Sequence, residues 1–313
     1  MRVLVVGAGA LGGYFGGRLL EAGRDVTFLV RPARAEQIAR HGLRIESQHG
    51  NAHLRPRTAL AGGDPGGPYD LILLAVKAHA LDGAMDDMAP ALGPETAIVP
   101  VLNGMRHLDR LAERFGAGRV LGGVAQIPAS LGPEGRVRHL GQAHALAFGE
   151  VSGGGASERV RAVAALCEGA KFVSRASEAI VQEMWEKWVM LAALAGMTCL
   201  MRAAVGDILA APGGREALLA LLAECRAAAE AAGHAPRPAA VEAATAMLIA
   251  EGSPLTASML RDIEGGGPTE GEHVLGDMAE RAARMGVPTP VLRLARCHVA
   301  AYEARRAREH AGT

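Results

Sequence analysis

The sequence predicts an α/β domain followed by a second domain made only of helices. Residues 1–30 follow the order strand, glycine-rich turn, helix and strand, and similar segments alternate up to about residue 176. From residue 177 onward, apolar residues recur at helical spacing with almost no strand signal. We therefore place the predicted domains at residues 1–176 and 177–313, which a chain of 313 residues can accommodate.

The composition is that of a neutral globular protein. Lys and Arg together number 33, Asp and Glu also number 33, and 50% of the residues are hydrophobic. This balance argues against a disordered chain and against a basic protein that binds nucleic acid. The cysteines show neither C-x-x-C spacing nor a metal-ligand pattern with the histidines, so we expect no metal site and a reducing, cytoplasmic location. They are Cys167, Cys199, Cys225 and Cys297.

Residues 1–30 form a predicted βαβ unit. A β-branched run at residues 3–6 stops at a Gly7-x-Gly9-x-x-Gly12 motif, a helix follows at 14–21, and a second strand at 25–30. In the dinucleotide-binding (Rossmann) fold these glycines allow a tight turn, approach of the pyrophosphate and close helix packing, and the helix N-terminus binds phosphate. The alternative is a plain glycine-rich turn. The predicted coenzyme contacts are Gly7, Ala8, Gly9, Ala10, Leu11 and Gly12.

The end of the second strand favours NADP over NAD. An NAD-binding domain usually places Asp or Glu here for the ribose hydroxyls, whereas this chain has Val30-Arg31-Pro32. A carboxylate would repel a 2′-phosphate, and a guanidinium can bind it through paired hydrogen bonds. Arg31 is therefore predicted to bind NADPH, the alternative being that it only solvates a loop.

Further alternation predicts a parallel sheet. Strands are expected at residues 69–76, 96–102 and 119–126, helices at 81–92, 107–115 and 157–168, and short antiparallel additions to the sheet edge at 136–138 and 143–148. Ligands bind at the carboxyl ends of parallel strands, so Lys77 and Asn103 are predicted to face the coenzyme. The alternatives are a solvated loop lysine and an ordinary turn residue before glycine.

The second domain begins with a strongly apolar helix. Residues 188–201 carry no charge and are too few for the ~20 that cross a bilayer, so we expect a buried central helix. Lys187 precedes this run and is one of only three lysines in an arginine-rich chain; it either extends to solvent or is desolvated, with a lowered pKa. Thr269 and Glu272 form a capping-box pattern, in which Glu270 would be a first-turn acid.

Together these features resemble the ketopantoate reductase (2-dehydropantoate 2-reductase) family over nearly the whole chain. The matching residues are Gly7-Ala8-Gly9-Ala10-Leu11-Gly12, Arg31, Val76-Lys77, Asn103-Gly104-Met105, Trp185-Glu186-Lys187, Ser258-Met259-Leu260-Arg261-Asp262 and Glu270. The resemblance implies NADPH-dependent reduction of a 2-keto acid to a 2-hydroxy acid. The nominal reaction converts ketopantoate to pantoate in pantothenate biosynthesis.

The resemblance also implies roles for individual residues. Lys187 would be the general acid, Asn103 would contact both coenzyme and substrate, and Ser258 would bind the substrate. Glu270 would position active-site groups or touch the coenzyme. These roles agree with the chemistry, because hydride transfer builds negative charge on the carbonyl oxygen and a nearby ammonium can stabilise and protonate it.

The sequence departs from the family at the substrate contacts. Leu191, Ala195 and Val205 stand where the family has polar residues, and apolar groups cannot satisfy a buried hydroxyl or carboxylate. Thr198, about 20° from Lys187 around a regular helix, could restore one hydrogen bond.

Two alternatives therefore stay open. One is a family reductase for a more apolar carbonyl or imine, and the other is a non-catalytic NADPH-binding sensor. We expect a small-molecule substrate and no nucleic-acid or membrane partner. The apolar helical domain could also form a homodimer.

Overall fold

The structure, a computed structural model, describes residues 1–311. The chain forms two compact units, of which the first contains residues 1–102 and 107–181. The second contains Asn103–Arg106 together with the chain from Gln182 onward. Residues 312 and 313, the last two of the predicted second domain, lie outside the described residues.

The first unit is built around a five-stranded parallel sheet. The strands of this unit, which belong to this sheet and to two smaller ones, are β1 (Arg2–Val6), β2 (Asp25–Val30), β3 (Leu43–Glu46), β4 (Ala52–Leu54), β5 (Arg57–Leu60), β6 (Tyr69–Leu74), β7 (Leu92–Pro100), β8 (Leu121–Gln126), β9 (Ala129–Leu131), β10 (Val137–His139), β11 (Ala145–Glu150) and β12 (Val173–Ala176). The parallel sheet has the order β5-β2-β1-β6-β7, and in the centre Val3 pairs with Val26 on one side and Leu71 on the other. Such strands are buried on both faces and read as continuous apolar runs.

Two smaller sheets correct the predicted sheet edge. Residues 136–138 and 143–148 were expected as short antiparallel additions at the sheet edge. The antiparallel pairing is confirmed, since β10 pairs with β9 and β11 with β8 in that direction, but neither strand lies in the five-stranded sheet. Instead β10 lies in the sheet β4-β3-β10-β9, parallel to β3, and β11 lies between β12 and β8. The sequence also missed β3, β4, β5, β9 and β12, since strands of three or four residues are too short to show a period.

Helices connect these strands and make up the second unit. They are α1 (Ala10–Glu21), α2 (Pro32–His41), α3 (Leu81–Met88), α4 (Arg106–Phe115), α5 (Glu158–Cys167), α6 (Ile180–Met201), α7 (Val205–Ala210), α8 (Gly214–Ala231), α9 (Pro238–Leu248), α10 (Ser258–Glu264), α11 (Asp277–Arg284) and α12 (Pro290–Ala311). The parallel sheet with helices, followed by a helical region, confirms the predicted fold class.

The apolar run of the second unit lies within one long helix, as predicted. Helix α6 begins at Ile180, and its segment from Trp188 onward is largely buried. Within residues 1–311, no helix combines the length and the apolar character that crossing a membrane requires.

The predicted capping box is absent. The Thr269 hydroxyl accepts a hydrogen bond from the Gly271 N–H at 3.3 Å, and the Glu272 carboxylate instead pairs with Arg296 at 2.6 Å. The physical reason is that a π-helical turn, Glu272–Gly276, precedes α11. Its wider spacing moves the first-turn N–H groups away from the positions that a capping box needs.

Candidate active site

The loop between β1 and α1 has the shape of a phosphate cradle. Gly7 has a φ of +94°, and a Cβ on Gly12 would lie 1.9 Å from the Gly7 carbonyl oxygen, so both positions require glycine. A Cβ on Gly9 would meet no atom within 4 Å, which leaves that part of the backbone open. In the described part of the chain, no side chain caps the start of α1 at Ala10. Its first N–H groups therefore suit a phosphate group, and the local geometry fits a dinucleotide.

Two arginines follow β2: Arg31 comes directly after the strand, and Arg34 lies beside the glycine loop. Arg31 is exposed at the N-cap of α2. Arg34, which the sequence analysis did not single out, donates from Nε to the Ala8 carbonyl at 2.9 Å and from Nη1 to Gln37 at 2.7 Å. Its Nη2 is buried and has no hydrogen-bond partner among residues 1–311, and burial lowers the pKa of Arg34. Arg34 thus fixes the loop and places a cation next to it. The sequence feature that could have identified Arg34 is its position one helical turn after Arg31.

Lys77 follows β6 at the same end of the sheet as the glycine loop. Its side chain is exposed, and the residue precedes a short turn at Ala78–Ala80. Just before it, Ala75 packs so closely against the loop that a Cβ on Gly7 would lie 2.9 Å from the Ala75 carbonyl oxygen. This placement agrees with the strand-end argument, and coenzyme binding by Lys77 stays a prediction.

Lys187, the predicted general acid, lies on α6. Its side chain is half-buried, yet the surrounding protein lowers its pKa to about 8, chiefly by desolvation, while the Glu270 carboxylate acts in the opposite direction. On the next residue, the Trp188 indole N–H donates to the Val274 carbonyl at 2.9 Å. This bond ties α6 to the turn that follows Glu270.

Asn103 and Glu270 meet in the same unit. The Asn103 amide Nδ2 donates to the Glu270 Oε2 at 3.4 Å, although the two residues are 167 positions apart in the chain. Asn103 follows β7, but it packs with the second unit rather than with the strand that precedes it. Glu270 is therefore shared between an amide and the Lys187 ammonium, an arrangement that can hold a proton donor in place.

Ser258 is the first residue of α10 and is exposed. The preceding Ala257 N–H donates to the Thr198 hydroxyl at 3.4 Å, and that hydroxyl donates to the Leu194 carbonyl at 2.7 Å. Because Thr198 is fully buried and already bonded, the expectation that it could replace a substrate contact is wrong. Its physical role is to position the start of α10.

The helix surface beyond Lys187 is apolar. Leu191 is half-buried, and Ala195 and Val205 are buried. The sequence departure from the family is thus a property of the folded unit, and a buried polar group of a ligand would gain no hydrogen bond from these three side chains.

Comparisons with known proteins cover both units. Residues 3–153 match the family model described as Ketopantoate reductase PanE/ApbA, and residues 179–303 match its C-terminal counterpart. An uncharacterized oxidoreductase, YkpB of Bacillus subtilis, is 38% identical over 97% of this chain and 99% of its own. The crystal structure of 2-dehydropantoate 2-reductase from Geobacter metallireducens is 30% identical, with a TM-score of 0.87 over 96% of this chain and 99% of that one.

A more distant neighbour shares the fold. A D-mandelate dehydrogenase, solved with NADH and anilino(oxo)acetate, has a TM-score of 0.88 at 20% identity and covers 98% of this chain and 100% of its own. The two family models and the similarity over the full length together establish that the chain belongs to the ketopantoate reductase family of oxidoreductases.

Proposed function

We propose that this protein reduces a 2-keto acid to the 2-hydroxy acid with NADPH, with ketopantoate as the nominal substrate. The observation that carries the proposal is the environment of Lys187, whose pKa of about 8 makes it an efficient proton donor near neutral pH. The Glu270 carboxylate, which acts on the Lys187 ammonium and accepts a hydrogen bond from Asn103, can orient such a donor.

The first unit supports a dinucleotide with a 2′-phosphate. The Gly7–Gly12 loop would hold the pyrophosphate, Arg31 the 2′-phosphate, and Lys77 a further part of the coenzyme. Arg34 adds positive charge beside the loop. The D-mandelate dehydrogenase of similar fold was solved with NADH, so the choice between the two coenzymes needs its own test.

The proposed mechanism uses the residues of the second unit. The Gly7–Gly12 loop would hold the reduced nicotinamide coenzyme, which would supply the hydride for C2 of the keto acid. Lys187 donates its proton to the carbonyl oxygen, which becomes the hydroxyl, and the neutral amine regains a proton from solvent. Glu270 stabilises the ammonium before the transfer. Asn103 would contact substrate and coenzyme, and Ser258 would bind the substrate.

Steady-state kinetics test the proposal. NADPH oxidation is followed with ketopantoate and a panel of other 2-keto acids, in the wild type and in Lys187→Ala. We expect the variant to lose roughly 10²- to 10⁴-fold in kcat while it still binds NADPH. Lys171→Ala is the matched control, because Lys171 pairs with Glu21 in the first unit. Unchanged turnover in Lys187→Ala refutes the assignment.

A second candidate substrate is favoured by the apolar surface beyond Lys187. The side chains of Leu191 and Ala195 offer no hydrogen bond. A carbonyl or imine compound with an apolar side chain would therefore lose less binding free energy by desolvation than a hydroxylated one. In the same assay, at least about tenfold higher kcat/KM for an apolar compound than for ketopantoate supports this candidate. Leu191→Asn should then shift the preference back.

A cytoplasmic homodimer that acts in pantothenate biosynthesis completes the proposal. Free cysteines support the reducing location: Cys167, Cys199, Cys225 and Cys297 form no disulfide within the described chain. Rescue of a pantothenate-requiring strain tests the pathway, and light scattering tests the dimer. Tight NADPH binding with no turnover of any compound in the panel would instead support the non-catalytic sensor.

A further inference from the structure

The π-helical turn after Glu270 contains a buried histidine to which the proposed reaction assigns no role. His273 is only 7% exposed and lies in the turn Glu272–Gly276. Turns of this type interrupt regular helices and are frequent at functional sites. The Glu270 carbonyl accepts the backbone N–H groups of His273 at 3.0 Å and Val274 at 2.9 Å, so the turn is anchored on the residue that faces Lys187.

His273 also contacts the segment that presents Asn103. Its ring forms a hydrogen bond with the Asn103 backbone. Gly104, with a φ of +78°, packs so tightly here that a Cβ would lie 2.9 Å from the His273 carbonyl oxygen and 3.0 Å from its Cδ2. Asn103 is thus held twice, by the His273 ring at its backbone and by Glu270 at its side-chain amide.

The charges around His273 compete. Burial lowers the pKa of its ring and is the largest influence, whereas Glu270 and Asp277 favour the charged ring and Arg106 opposes it. The bond to Asn103 also favours the protonated form. The ring is therefore neutral at neutral pH, and protonation in acid would place a second cation beside the carboxylate that stabilises Lys187.

We propose that His273 is a positioning residue that fixes the Asn103–Gly104 turn and, while uncharged, leaves the Glu270 carboxylate to the Lys187 ammonium. This inference rests on the proposed function, in which Lys187 is the proton donor. A purely structural histidine would fill space at this point without any influence on the titration of Lys187.

Three substitutions separate these roles. His273→Asn and His273→Gln keep an amide N–H donor at about the distances of the ring Nδ1 and Nε2 from the backbone, but they cannot be charged. His273→Phe keeps the ring shape without the donor. His234→Gln is the matched control, because burial also lowers the pKa of His234, whose ring instead stacks on Trp185. Thermal unfolding confirms that each variant folds.

The decisive measurement is the titration of Lys187 by NMR with [ε-¹³C]lysine, which gives three signals because the chain contains only Lys77, Lys171 and Lys187. In the wild type the Lys187 signal should show its own step near pH 8 and a smaller one in acid, where His273 takes up a proton. The smaller step should vanish in all three His273 variants and persist in His234→Gln. Its persistence in His273→Gln overturns the proposal.

Kinetics provide the second readout. With its donor lost, His273→Phe should lower kcat by roughly 10- to 100-fold with a smaller change in the KM for NADPH, since small misplacements of reacting groups are costly. The better of His273→Gln and His273→Asn should restore most of the rate. Equal rates in all three variants would contradict the positioning role. If the wild type reduces no 2-keto compound, the proposed function fails, and the NMR titration still decides the case of His273.

Discussion

The pH dependence of the reduction follows from the burial of Lys187. A lysine with a pKa of about 8, in place of the usual 10.5, is about 90% protonated at pH 7 and about 10% at pH 9. Because only the ammonium can donate the proton, kcat/KM for keto-acid reduction should be level below about pH 7 and fall about tenfold between pH 7 and pH 9. With a lysine of ordinary pKa, kcat/KM would fall by only a few per cent over that interval.

The reverse reaction gives the opposite slope. Oxidation of the 2-hydroxy acid needs the neutral amine as proton acceptor, so its kcat/KM should rise through about pH 8. The assay follows NADPH oxidation in one direction and NADPH formation in the other across the pH range. Coenzyme is saturating and substrate is kept low, so that the profile reports the pKa of Lys187 before the substrate binds. Profiles that are flat to pH 10 in both directions would refute the assignment of Lys187.

Glu270 supplies the internal check on this prediction. Its carboxylate favours the Lys187 ammonium, so Glu270→Gln should move the alkaline decline to lower pH by roughly one unit. The matched control is Glu272→Gln, which removes a carboxylate two residues away that pairs with Arg296. An equal displacement in both variants would show that the decline reports general charge and not the Glu270–Lys187 pair.

Three further predictions concern coenzyme binding and stability. Arg31→Asp should reverse the preference for NADPH over NADH by about 10²-fold or more in kcat/KM, because a carboxylate repels the 2′-phosphate; an unchanged ratio would place that phosphate elsewhere. Gly12→Ala should abolish coenzyme binding in a fluorescence titration, since its Cβ would lie 1.9 Å from the Gly7 carbonyl oxygen, and full affinity would show that the loop can shift. Lys187→Met should eliminate turnover yet raise the free energy of unfolding at pH 7 by about 1–3 kcal/mol. The half-buried ammonium has a pKa of about 8 in the folded chain and 10.5 in the unfolded chain, so it destabilises the fold most below pH 8. Wild-type stability therefore rises with pH between these values. Equal unfolding curves for the wild type and Lys187→Met at pH 7 would contradict this destabilisation by the ammonium.

Local signals were enough for much of the first unit. The spacing of Gly7, Gly9 and Gly12 between an apolar strand and a helix predicted the glycine loop. Gly7 and Gly12 each have a steric reason in the structure, whereas Gly9 leaves the backbone open. The short strands from β3 onward were missed or misassigned, because strands of three or four residues carry little periodic signal and their pairing depends on distant partners. The capping box failed for a related reason, since a π-helical turn changes the spacing that the sequence rule assumes.

The sequence by itself determined the fold class, the glycine loop and the chemical identity of the candidate site residues, since these depend on residue type and on spacing within one or two elements. Only the tertiary structure decided how those residues act on each other. Asn103 reaches Glu270 across 167 positions, and His273 is buried against the turn that presents Asn103. The lowered pKa of Lys187 arises from desolvation, which exists only once the chain has packed around the amine.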